Sequence, residues 1–157
     1  MPNLIIPSVV RSLHNIFTSI WIGGMLVMVI TFLPTIRKEI KDKELQGSVI
    51  DKIMSRHSKW VYLGVAVLAI TGMLMARLSG QTSGLFNFAS TYGTILSIKH
   101  ILVILITVIA LVRSIAFKNT ASSKDKSKKK MSMALLMVNT FLGTVILVLS
   151  SIIAVIG

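Results

Sequence analysis

Four apolar blocks, at 13–33, 60–75, 95–117 and 131–156, constrain this chain more than any other feature. Each approaches the ~20 residues that a helix needs to cross a ~30 Å hydrocarbon core. The second reaches that length only when His57 and Arg77 snorkel from its ends. In lipid every backbone polar group has to be satisfied within the segment, so such blocks become helices. The sequence therefore predicts an all-α, integral membrane four-helix antiparallel bundle forming a single domain over 1–157, with spans at about 10–34, 58–78, 94–117 and 131–156.

The charges set the orientation. Of seventeen basic residues, seven fall from Arg37 to Lys59 and seven from Arg113 to Lys130, leaving Arg11, Arg77 and Lys99 elsewhere. The positive-inside rule then predicts cytoplasmic loops at 35–57 and 118–130 and both termini outside. A net charge of +12 placed in this way is explained by topology and by anionic lipid headgroups, and it argues against nucleic acid as a partner. Residues 1–10 lack a basic n-region and the following block is too long for a cleaved leader, so the first helix is expected to insert as an uncleaved span. The segment 37–58 carries Ile40, Leu45, Val49, Ile50, Ile53 and Met54 at near-helical spacing. It reads either as a helical extension or as an amphipathic surface helix. The connection 79–93 and the lysine-rich 118–130 read as loops.

Within the blocks the chemistry is sparse. The five acids, Glu39, Asp42, Glu44, Asp51 and Asp125, all lie outside them, and there is no cysteine. Hydrolysis by a carboxylate dyad, carboxylate-based proton pumping and thiolate metal ligation thus lack their usual residues, and no nucleotide loop or zincin pair is present, which points away from an enzyme. Two histidines stand out because ionisable groups at membrane depth cost free energy and usually serve function. His14 lies ~12 Å outside the middle of the first span and His100 ~9 Å outside the middle of the third, at 1.5 Å per residue. Imidazoles at one depth on two helices suit copper or the iron of a b-type haem, and a thioether favours Cu(I). Met73 and Met75 reach similar depth.

The same stretch carries a face of His14, Thr18, Trp21, Met25 and Met28 at steps of three and four. Trp21 is expected either to fill the core or to lie against a flat cofactor. Gly23 and Gly24 are expected to allow close approach of another helix, as are Gly64 and Gly72 on the second span. Lys99 is expected to snorkel outward or to face an anionic group such as a haem carboxylate. Consecutive helix residues point ~100° apart, so one of Lys99 and His100 faces the site. His57, beside Arg56 and Lys59, is expected at the cytoplasmic boundary, facing solvent or headgroups, and Asn139 is expected to hydrogen-bond across the bundle.

Three segments, LHNIFTSIWIGGML at 13–26, RHSKWVYLGVAVLAITGML at 56–74 and TYGTILSIKHILVILITVIALVR at 91–113, resemble the copper-resistance D (CopD) family of membrane proteins. The histidine ahead of W-x-G-G, the T-G closing the second helix and the Y-G…L-x-x-K entering the third carry the likeness, at His14, Trp21, Gly23, Gly24, Thr71, Gly72, Tyr92, Gly93 and Lys99. The resemblance implies a four-helix domain concerned with copper uptake or handling. The pattern is also similar to the HemJ-type protoporphyrinogen oxidases, which place a histidine on the first helix and a lysine on the third around b-type haem. Copper binding in the outer half, with His14 and His100 as ligands and Met73 or Met75 assisting, is the leading expectation. A bis-histidine haem protein involved in electron transfer or the haem pathway, with Trp21 and Lys99 about the macrocycle, is the alternative. A third is an accessory subunit packing in a larger membrane complex or homo-oligomer, marked by exposed small-residue faces on the second span.

Overall fold

The computed structural model describes residues 4–78, 86, 88–117, 120 and 124–156. Most of the connection at 79–93 and five of the six residues 118–123 lie outside the described residues, but both expected loops are too long: 91–93 open a helix, and so do 126–130, where Asp125 caps the lysine run. Four helices account for nearly everything else: α1 Ile5–Glu39, α2 Lys43–Leu78, α3 Thr91–Ala116 and α4 Lys126–Ile156. No strand occurs among the described residues. All four are long and apolar enough to cross a membrane.

Three of the four helices start where the sequence supplies a cap, whereas α1 starts after Leu4 without one. The Asp42 carboxylate accepts from the Glu44 and Leu45 amides at 2.8 and 3.2 Å, opening α2. Asp125 accepts from Ser127 and Lys128 at 2.9 and 3.1 Å, opening α4, and the Ser90 hydroxyl accepts from Gly93 at 3.0 Å, opening α3. These side chains satisfy amides that have no partner within the helix, and a carboxylate there also suits the helix dipole. At the other end of α1, Gln46 Nε2 donates to the Ile40 carbonyl at 3.0 Å, closing the tight corner into α2. The segment 43–57 is thus a continuation of α2, the first of the two forms expected for it.

α1 is not a plain α-helix. It widens into π-helical turns at Ser19–Gly23 and Met28–Phe32. The second has a direct cause: Pro34 lacks an amide proton and its ring crowds the carbonyl four residues back, Ile30. The first lets two consecutive residues, Trp21 and Ile22, both turn inward, at 3% and 2% exposure.

The helices form two tight pairs, α1 with α2 and α3 with α4. α1 also leans on α4, while the seam between α2 and α3 is sparse. A central layer, Trp21, Ile22 and Met25 with Val61, Ile106, Ala110 and Ile146, marks the middle of the bundle. A second layer, Met28, Leu33, Ile36, Ile50 and Leu136, lies towards the lysine-rich end. Outside these layers the helices expose Ile70, Ile104, Val108 and Phe141, each more than half open. Such a belt of large apolar side chains is the face that lipid covers.

Candidate functional site

At the end of the bundle that holds both termini, His14 of α1 meets the T-G pair of α2. His14 Nδ1 lies 2.9 Å from the Thr71 hydroxyl, which is itself 4% exposed. That hydroxyl has a single proton, and it donates it to the Val67 carbonyl at 2.7 Å. With that proton on the carbonyl, the hydroxyl is left to accept from an imidazole protonated on Nδ1, the tautomer in which Nε2 carries the bare lone pair. A neighbour that fixes the tautomer in this way is the usual support for a metal-ligating histidine. Gly72 lies against the ring: a Cβ there would come to 3.9 Å from His14 Cε1, in ordinary contact. The Thr18 hydroxyl, one turn along, bonds back to the His14 carbonyl at 2.8 Å.

Of the adjacent pair on α3, Lys99 is the residue whose charge reaches the His14 ring. His100, beside it, is half-buried. On α2 the two methionines differ: Met73 turns outward with 61% of its surface exposed, whereas Met75 is half-buried, one turn beyond Thr71 on the same face. The inner Met25 and Met28 are buried in the two core layers. Trp21 belongs to the central layer, packed among Ile22, Val61 and Ile106, with its indole nitrogen lacking a partner. Gly64 lies under Trp21, its Cβ position 3.9 Å from that of the tryptophan, so both small residues of α2 serve contacts inside the chain. Among the described residues no three imidazole or carboxylate groups converge on one point.

The other half of the bundle holds a polar group that sequence reasoning missed. His57 is not at the boundary facing solvent or headgroups. Its ring is half-buried and lies directly on Gly24, where a Cβ would fall 2.7 Å from Cε1, and its Nε2 is buried without a partner. The cause is register. Trp21 on Gly64 puts Val61–Gly64, not the centre of the apolar block 60–75, in the middle of the bundle. His57 is then only ~6–10 Å from that level. Arg113 of α3 belongs to the same half: its Nη1 donates to Met54 Sδ at 3.4 Å while its Nε is buried without a partner. Asn139 does reach across the bundle, but to a weak acceptor: its Nδ2 lies 3.5 Å from Met25 Sδ, and its Oδ1 is unpartnered. The signal for this cluster was Gly24 itself, a helix-face gap wide enough for a ring.

Four apolar helices with imidazole, hydroxyl, amine and thioether groups between them, and no carboxylate in either membrane-facing half of α3 or α4, define a multi-pass helical membrane protein. More particularly, the chain belongs to the CopD family: the family model for Copper resistance protein D matches residues 51–155, well over half of the chain. The matched region spans most of α2 and all of α3, and runs through α4 to its last turn. It includes Thr71, Gly72 and Lys99. No curated protein and no solved structure matches the chain. The family ties the protein to copper resistance.

Proposed function

We propose that this protein binds copper within the membrane and passes it on, with Nε2 of His14 as the first donor. The observation that carries this reading is the Val67–Thr71–His14 chain, in which a hydroxyl with its only proton committed holds the imidazole lone pair ready for a soft cation. Met75, half-buried on the face of Thr71, is the better placed thioether; His100 is the second imidazole only if α3 turns it, in place of Lys99, towards His14 when the metal binds. Met73, exposed to lipid, is left out. With the basic end of the bundle, around the 39–43 corner and the 117–126 connection, in the cytoplasm by the positive-inside rule, the proposed site lies in the outer half. Lys99 beside the ring weakens its hold on a bare cation, which suits copper that is to be released rather than stored.

The same lysine favours a second reading, b-type haem, because it would pair with the carboxylates of the macrocycle while His14 ligates iron. Trp21 counts against it, since a macrocycle laid on the indole would displace a central-layer neighbour. One preparation separates the two. The protein is purified in mild detergent, copper and iron are assayed, and oxidised and dithionite-reduced spectra are recorded. Stoichiometric copper without sharp reduced bands is expected; stoichiometric iron with them refutes copper. Thr71→Val should lower copper affinity by about tenfold, in line with loss of a supporting partner, and should abolish the single Nδ1–H signal of His14 in nitrogen NMR. Retention of copper in both His14→Ala and His100→Ala would show the ligands to be wrong.

A further inference from the structure

We propose that the cavity at the lysine-rich end of the bundle binds the phosphate of an anionic phospholipid, with Arg113 as its deepest contact. The cavity is an open one of about 820 Å3, lined mainly by α2, α3 and α4 with Arg37 of α1 at its edge, a size that holds a sizeable ligand. Its rim is basic: Arg37, Lys43, Lys59, Lys126, Lys129 and Lys130 line it, against the single carboxylate of Asp51. Its wall is apolar, with Ile50, Met54, Phe117, Leu136 and Met137. A cationic mouth above an apolar wall matches a molecule with an anionic head and a hydrocarbon tail.

Arg113 makes the demand specific. It stands in the last turn of α3, ~10 Å along the helix from Ile106 in the central layer, and lines the cavity. Nε is buried with no partner and Nη1 rests on a thioether, a weak acceptor. A guanidinium with a buried, unpartnered Nε is unfavourable; α3 and α4 contain no acidic residue, and the one carboxylate lining the cavity, Asp51 of α2, stands against seven cations with Arg113 counted. The planar donor edge of arginine suits a phosphate bearing several oxygens. A way out for the tail is also present. The sparse seam between α2 and α3 borders the cavity and is crossed by the hydrogen bond from Tyr62 to Ser114, 2.6 Å, both of which line the cavity and face outward. Head in the cavity and chain in the seam uses both features at once. The phosphate itself could come from the lipid or from free phosphate, and the test separates them.

The full chain is reconstituted in vesicles of phosphatidylcholine with phosphatidylglycerol, and lipid retention is read by native mass spectrometry after gentle release. One phosphatidylglycerol per chain is expected, held in preference to phosphatidylcholine. Arg113→Gln should weaken it about tenfold or more, as for loss of a charged hydrogen bond. The rim variant Lys129→Gln with Lys130→Gln, which leaves the buried layers untouched, should weaken it less, and Arg77→Gln at the far end of α2 should change nothing. Equal retention of the two lipids overturns the proposal, as does wild-type retention in both the Arg113 and the rim variants. Inorganic phosphate that displaces phosphatidylglycerol at equal concentration overturns the lipid as the source.

Discussion

Gly24→Ala tests the packing of α1 on α2 more sharply than any other single change, because its neighbour Gly23 supplies the control. Both glycines lie in the W-x-G-G stretch at helical dihedrals, with φ near −60°. Both therefore gain the same helix propensity on substitution, up to about 1 kcal/mol. What differs is the space. A Cβ on Gly23 meets nothing within 4 Å, whereas one on Gly24 meets His57 Cε1 at 2.7 Å and Nδ1 at 3.3 Å. Ordinary contact begins at 3.4 Å, so the ring has to retreat by about 0.7 Å. It has little freedom, since Nε2 is already buried. Overpacking of this kind costs about 1–3 kcal/mol. The propensity gain cancels between the two variants, so Gly24→Ala should be about 1–3 kcal/mol less stable than Gly23→Ala. Unfolding by SDS in mixed micelles measures this through tryptophan emission, with Trp21 at 3% exposure reporting on the core. In a His57→Ala background the gap should fall to about zero. Equal stability of the two alanine variants with His57 present would refute the contact, and with it the depth assigned to His57.

Three further outcomes follow from the interior. Asn139→Leu should leave stability within about 1 kcal/mol of wild type, because the amide gives up only a thioether contact and an unpartnered oxygen; a loss beyond about 2 kcal/mol in the same micelle assay would mean that Oδ1 is satisfied in the membrane. Tyr62→Phe removes the α2–α3 hydrogen bond to Ser114 and should lower stability by about 0.5–1.5 kcal/mol, read against Ser114→Ala, with the double variant no worse than either single one. Orientation can be read with single thiols, since the chain has no cysteine. An impermeant maleimide should label Arg11→Cys, but not Lys128→Cys, in intact cells, and the reverse would invert the bundle.

The spans were legible because a run of ~20 apolar residues has one outcome in lipid, and the caps at Asp42, Ser90 and Asp125 were legible in principle as polar residues just ahead of those runs. Relative depth was not. It is fixed by which side chains interlock, and Trp21 on Gly64 shifts α2 by about one turn against the centre of its own apolar block. That shift carried His57 from an apparent headgroup position into the bundle. It left His14 where counting had put it, because α1 is the helix that sets the central layer. The choice between Lys99 and His100 was likewise beyond spacing, since residues 100° apart offer either face until a partner is seated.

The two ends of the bundle thereby acquire opposite chemical characters from the same few residue types. Towards the termini, the Thr71 hydroxyl that donates to Val67 offers the His14 ring an acceptor at Nδ1, and the Nε2 lone pair this leaves is what the proposed copper site requires. Towards the lysine-rich end, Arg113 has a buried Nε without an acceptor and the cavity rim carries six further cations, the requirement of an anion. Lys99 is the exception that tests this division, a cation at the lone-pair end. If it serves release, Lys99→Met should raise copper affinity at His14, because removing a nearby positive charge strengthens the imidazole as a donor to a cation. Were Lys99 instead the partner of a cofactor carboxylate, the same substitution would loosen the bound group. Copper titration of the Lys99→Met protein, beside its absorption spectrum, therefore distinguishes the two by the sign of the change.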